Sequence, residues 1–247
     1  MTDLHQAVLA ARIPALLLAA TALAAPATAQ SLRPVMIDAS ATLTSDYRFR
    51  GVSLSDRKPA LQGSITLSTL PGFFASAWGS TVNDHNGADA EIDLMAGWSG
   101  PVGLFDLSAG AIHYAYVGGD GSATELFGSI ALPFGPLRGT LGINFAPSQG
   151  NIGGDNRYIY GSLSAAVPGT PLTLKASAGH EHGALVTGDS YGRIGKWDWR
   201  LGAEYGWQQL IFSLAYVGND LPTGPAWSAR GKRKADDRAV VAVTYSF

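Results

Sequence analysis

The sequence predicts an all-β protein, a transmembrane antiparallel up-and-down β-barrel of about 12 strands. Three observations carry this. In the last strand Val241, Val243, Tyr245 and Phe247 are apolar on alternate residues, with the small or polar Ala242, Thr244 and Ser246 between them. A period of two with one greasy and one wet face marks a strand that separates two environments. Glycine makes up 31 of 247 residues and is spread along the chain. That density weakens helices, whereas sheets with tight turns and close strand packing accept it. The third observation is the stretch from Trp197 to Trp207, whose one face is Trp, Trp, Leu, Ala, Tyr, Trp and whose other face is Asp, Arg, Gly, Glu, Gly. Trp and Tyr favour the two headgroup levels that bracket hydrocarbon, so an apolar face with aromatics at both ends fits a lipid-facing strand better than a strand of a soluble sandwich.

At the N-terminus, Arg12 precedes an apolar run from Ile13 to Ala25 and the small-residue stretch Ala27-Thr28-Ala29. A membrane-spanning helix needs about 20 residues, so this shorter run ending in A-x-A reads as a secretory signal occupying 1–29, with the barrel expected over 30–247. Removing it takes away one acid (Asp3) and one base (Arg12), which leaves the net charge at −2. That balance argues against nucleic acid as a partner, because phosphate binding needs a basic excess. With no cysteine, the exported protein relies on backbone pairing and its surroundings for stability.

Period-two segments are expected near 36–48, 60–69, 73–83, 89–99, 103–116, 123–134, 136–146, 156–167, 171–182, 195–207, 208–218 and 237–247. The alternation recurs in Leu137, Leu141, Ile143 and Phe145 against Arg138, Thr140 and Asn144, and in Leu210, Phe212, Leu214 and Tyr216 against Ser213 and Ala215. In 73–83 two residues, Phe73 and Phe74, compete for the outer face. Joints such as Leu70-Pro71-Gly72, Gly135-Pro136 and Pro168-Gly169-Thr170 are short, whereas 49–59, 147–155, 183–195 and 219–236 are long or polar. Short turns at one rim and long loops at the other is the asymmetry of bacterial outer-membrane barrels, and an even strand count puts both termini on the turn side. The ending on Tyr245 and Phe247 resembles the last strand of such barrels. This implies an assembly signal read by the barrel-assembly machinery and a location in the bacterial outer membrane, among its lipid and lipopolysaccharide.

The stretch Ser45-Asp46-Tyr47-Arg48-Phe49-Arg50-Gly51-Val52-Ser53-Leu54-Ser55-Asp56, followed by Lys58-Pro59-Ala60 and Gln62-Gly63, resembles the opening signature of the TorF family of porins. Trp78-Gly79-Ser80 and Glu91-Ile92-Asp93 with Gly97 extend the similarity, which runs over essentially the whole mature chain. The resemblance implies an outer-membrane barrel that conducts small solutes or ions and names no substrate.

Projected by parity, the inner face carries the pore-lining candidates Asp46, Arg48, Arg50, Glu91, Asp93, Arg138, Lys175, Asp198, Arg200 and Glu204, together with Asp38, Asp106, Glu125 and Glu181. Charges on a wall enclosed by a bilayer need water or partners. They either line an aqueous path that selects by charge or pair across the lumen and hold the barrel shut. Twelve strands fall between the filled eight-stranded barrel and the open sixteen-stranded porin. In the list acids outnumber bases, which favours cations if the path is open. Asp46, Arg48 and Arg50 are expected to point inward near the mouth of the first strand, with Tyr47 and Phe49 outward, as a charge filter or as a ladder fixing strand register.

Two further function classes are weighed. An outer-membrane enzyme would draw on His85, His113, His180 and His182, but no nucleophile motif accompanies them. His180 and His182 share a strand face without an identifiable third ligand, so neither catalysis nor a metal or other cofactor is expected. The polar stretch Asp84-His85-Asn86-Gly87-Ala88-Asp89 departs from EF-hand spacing and reads as a loop. A non-conducting surface barrel would use its loops, where Gly231-Lys232-Arg233-Lys234 could hold lipopolysaccharide phosphates.

Overall fold

The computed structural model describes residues 35–85, 87–186, 195–221 and 234–247. The expected signal segment, its cleavage point at Ala29, and Gly231, Lys232 and Arg233 of the basic cluster lie outside the described residues. Strand β1 (Val35–Thr44) is followed by two two-residue strands, β2 (Arg48–Phe49) and β3 (Val52–Ser53). Then come β4 (Ala60–Thr69), β5 (Phe73–His85), β6 (Ala88–Val102), β7 (Phe105–Val117), β8 (Ala123–Phe134) and β9 (Leu137–Gln149). The series ends with β10 (Gly154–Ala166), β11 (Leu172–Gly183), β12 (Gly195–Trp207), β13 (Leu210–Asn219) and β14 (Arg238–Ser246).

All strands except β2 and β3 form one closed antiparallel barrel in which each pairs with its sequence neighbours and β1 pairs with β14. This is the twelve-stranded up-and-down architecture that the period-two segments predict. Closure leaves no unpaired edge, which hydrocarbon demands of any sheet it surrounds. The ladder from β1 to β4 runs over ten register positions, Val35↔Thr69 to Thr44↔Ala60. The closing ladder from β1 to β14 runs over five, Ser40↔Ser246 to Thr44↔Ala242.

The outer surface is apolar. Leu61, Leu141 and Leu201 are each more than 60% exposed, which in water would be costly and in lipid is the resting state. Trp207, Phe134, Phe73, Tyr245 and Phe247 are exposed beside the short turns, where aromatic rings mark a headgroup level. At 73–83 the ambiguity resolves with Phe73 outside and Phe74 buried in the lumen.

The short connections bend by positive φ: Gly72, Gly103, Gly135, Gly169 and Gln208 each carry one. At Gly72 a Cβ would also stand 2.3 Å from the Ser99 carbonyl oxygen. Tight turns of this hand match the right-handed twist of the strands they join. Inside, several strand glycines lie beneath aromatic rings. A Cβ at Gly142 would meet the Tyr160 ring at 2.3 Å, and one at Gly179 the Tyr158 ring at 2.3 Å. Four strand glycines, Gly97, Gly110, Gly142 and Gly179, therefore make room for rings on the inner wall.

One expectation is corrected. The first strand does not run to residue 48; β1 ends at Thr44, and residues 45–59 turn away from the wall and fold into the lumen.

Candidate functional site

The infolded segment is a small hairpin built around Asp46. Its Oδ1 accepts hydrogen bonds from Ser53 Oγ at 2.6 Å and Ser55 Oγ at 3.1 Å, and its Oδ2 accepts from Arg48 Nε at 2.8 Å. Strands β2 and β3 pair as Arg48↔Ser53 and Phe49↔Val52. The two residues between them, Arg50 and Gly51, have φ of 46° and 83°. Positive φ at both central residues is the geometry of a type I′ turn. The glycine is needed twice over, since a Cβ there would meet the Gly218 carbonyl oxygen at 2.6 Å. In Asp-Tyr-Arg-Phe-Arg-Gly-Val-Ser-Leu-Ser, then, the acid and the serines tie the hairpin to itself and Arg-Gly makes its tip.

The tip crosses to the far wall. Arg50 Nη2 donates to Glu125 of β8 at 2.6 Å and Nη1 to Glu181 of β11 at 2.5 Å. Its guanidinium lies 4.3 Å from the centroid of the Tyr158 ring. Both carboxylates are supported from the wall: Tyr114 and Asn144 donate to Glu125, and Asn156 donates to Glu181. Lys196 of β12 donates to the Arg50 carbonyl at 2.6 Å and is ion-paired with Glu181 at 2.9 Å. Asn219 of β13 donates to the Gly51 carbonyl at 3.0 Å. Near the base of the hairpin, Tyr47 donates to Glu91 at 2.8 Å and Arg48 reaches the backbone carbonyl and side chain of Asp236, just before β14. Val52 packs against Leu221 and Ala235. The hairpin is thus held to many strands around the wall by charge-assisted hydrogen bonds, which are the strong ones when shielded from water.

Two levels of charge result. In the half toward the long loops, nine charged side chains are buried among the described residues: Asp46, Arg48, Arg50, Glu91, Asp93, Glu125, Glu181, Lys196 and Asp198. In the half toward the short turns the candidates sit in wetter surroundings. Arg138 pairs with Asp106 at 2.5 Å and Lys175 with Glu204 at 2.7 Å, their side chains 20–29% exposed. Arg200 is on the inward side of β12 between the two levels. This half also carries small hydroxyls, among them Ser40 to Ser64 at 2.8 Å and Thr66 to Ser76 at 2.9 Å, beside the apolar Phe74, Met95 and Phe127.

The expected orientation of Tyr47 and Phe49 is corrected. Both point into the lumen, Tyr47 packing on Trp78 at 5.3 Å and Phe49 edge-on to Tyr114 at 5.9 Å between ring centroids. They belong to a hairpin within the barrel, so outer-wall parity does not apply to them. Lys196, Asp236 and Asn219 were missed as functional candidates. Parity from Asp198 would have placed Lys196 inward, but no spacing rule could have found Asp236 and Asn219, whose roles depend on where the hairpin docks. His180 packs tilted against Trp197 at 4.7 Å between ring centroids and His113 bonds Thr124, both on the outward side of their strands, while Glu181 between the two β11 histidines faces in.

Comparison with known proteins agrees with this architecture. The KdgM porin superposes with a TM-score of 0.57 at 10% identity over 85% of this chain and 98% of that one. The NanC porin does so with 0.56 at 9% identity over 86% and 99%. At such identities the likeness is one of fold. No curated protein matches the sequence. The profile of the family described as "Bacterial protein of unknown function (Gcw_chp)" matches residues 27–247, and the chain belongs to that family.

Proposed function

We propose that the protein is a porin-like channel of the bacterial outer membrane that passes small hydrophilic solutes or ions by diffusion, with the hairpin 45–59 forming its constriction. The observation that carries this reading is the lumen itself. A closed barrel with an apolar outer belt encloses serines, threonines and ion pairs on its turn side and a charged, infolded hairpin on its loop side. Polar interiors within an apolar wall are the arrangement of water-filled pores, and an element folded into the lumen sets how wide the path is. The resemblance to the TorF porins and the fold shared with KdgM and NanC point the same way. Outer-membrane lipid and lipopolysaccharide are the surroundings that this belt suits, and the barrel-assembly machinery is the partner implied by Tyr245 and Phe247. The reading is not enzymatic.

A second reading is favoured by one observation. Arg50 is clamped by two buried carboxylates, and a plug held this firmly fits a non-conducting barrel whose function lies at its outer surface. Purified protein in planar lipid bilayers separates the two. Stepwise conductance in wild type supports the channel. No conductance in wild type, with conductance appearing in Arg50→Gln, supports the plugged barrel.

A further inference from the structure

Beneath the hairpin, the inner wall of β5, β6 and β7 carries a carboxylate that no base engages among the described residues. Asp93 is 1% exposed, yet neither of its oxygens accepts a hydrogen bond. The reason is local. Two nearby hydroxyls are committed elsewhere, Tyr47 to Glu91 and Tyr114 to Glu125. Neither Glu91 nor Asp93 forms an ion pair among the described residues, and the hydroxyls of Tyr47 and Tyr116 both turn to Glu91.

Asp93 stands in register between Trp78 on one side and Tyr114 on the other. Above it the hairpin adds two more rings, Tyr47 on Trp78 and Phe49 on Tyr114. Asp93 is therefore flanked by a cluster of four aromatic rings, and Glu91, two residues away between Ser80 and Tyr116 in register, is tied to that cluster through Tyr47. An isolated buried carboxylate is strongly disfavoured unless positive charge meets it. Aromatic faces add to the attraction for a cation and offer nothing to an anion. The whole buried level shares the imbalance, with six acids against three bases among the described residues, and the bases are engaged by Asp46, Asp236, Glu125 and Glu181 rather than by this pair.

We infer that Glu91 and Asp93, walled by Trp78, Tyr114 and the hairpin rings of Tyr47 and Phe49, form a binding site for a small cation in the barrel lumen. Among the described residues no group of three or more Asp, Glu, His or Cys side chains converges as a metal shell. The occupant therefore keeps part of its water, as a calcium ion with few protein ligands does, or is an organic ammonium seated on the rings. The site is a property of the folded lumen. That its occupant is also a permeant ion rests on the channel reading above.

Equilibrium dialysis of the folded protein in detergent tests this, using calcium chloride and methylammonium chloride as separate probes at neutral pH and low ionic strength. Saturable binding of either probe at one per chain is expected. Asp93→Asn, which keeps shape and removes charge, should weaken it by about tenfold or more. Asp89→Asn, which removes a charge from an exposed position of the same strand, should leave it unchanged. Glu91→Gln serves as the second variant, and heat-modifiable mobility verifies that each is folded. Calcium binding without methylammonium identifies a metal ion, and the converse an ammonium. Binding of neither probe, or equal binding by wild type and Asp93→Asn, overturns the site; wild type that binds neither cation but gains thermal stability on acidification shows a shared proton instead. Conductance of the same preparations is scored separately, so a silent barrel that binds the cation refutes the channel and keeps the site, and a conducting barrel that does not bind it does the reverse.

Discussion

At the scale of single residues, the barrel wall is a parity device, and its two faces respond to opposite changes. Leu201, outward near the middle of β12, should lower stability by about 2 to 4 kcal/mol when changed to arginine, because the charge enters hydrocarbon near the midplane. Ser213, inward on β13 with one long hydrogen bond of 3.5 Å, should tolerate alanine within about 0.5 kcal/mol. Denaturant titration read by heat-modifiable mobility compares them, and equal damage would mean that the faces are reversed. Parity alone makes Gly202 look just as tolerant, but a Cβ there would meet the Leu214 carbonyl oxygen at 2.7 Å and the Ala215 Cβ at 2.9 Å. The same crowding sets a second expectation. Gly142→Val should destabilise by about 1 to 3 kcal/mol by overpacking, and Tyr160→Ala in the same chain should recover part of the loss by removing the ring. Alternation was legible because it repeats along each strand. The close approach of a ring to a glycine was not, because it depends on which residues become cross-strand neighbours.

At the scale of elements, the hairpin decides what the lumen can do. Arg50→Gln removes the one cation that Glu125 and Glu181 share with the hairpin and leaves two carboxylates on the wall, one of them still paired with Lys196. Breaking a buried pair from one side costs about 3 to 5 kcal/mol. Here that cost should appear as a loosened hairpin, read as greater single-channel conductance and a reversal potential shifted toward cations. Unchanged conductance and selectivity with a lower unfolding temperature would assign Arg50 to structure alone. The sequence made this element visible only as a run of charged and aromatic residues. Read as a continuation of the first strand, 36–48 put Tyr47 and Phe49 on the lipid side. What marks the departure is local: Ser45-Asp46 followed by serines at 53 and 55 is hairpin chemistry, and Arg50-Gly51 is a turn pair. The opposing contacts, from Glu125 to Asn219, belong to strands far along the chain. No local pattern announces them.

At the scale of the whole molecule, the twelve strands, the start of β1 and the end of β14 on the turn side and the polar lumen follow from alternation and loop length, because a closed barrel leaves few other arrangements. Phe247 lies at the junction of the two ends, its N–H donating to the Ala39 carbonyl at 2.9 Å and its ring against Tyr245 at 4.9 Å. Deleting it should reduce the folded fraction in the outer membrane without reducing export, as measured by fractionation and heat-modifiable mobility; normal insertion would refute its role as the assembly signal. The β1–β14 ladder is half as long as β1–β4, and the hairpin stands across it. Arg48, just beyond β1, is fastened to Asp236, just ahead of β14. Arg48→Leu should therefore shorten the survival of the folded species at a fixed high temperature, a kinetic measurement. The hairpin thus acts as a bolt across the seam: a segment just beyond the first strand is fastened to one just ahead of the last, so its docking and the closure of the wall depend on the same two strands.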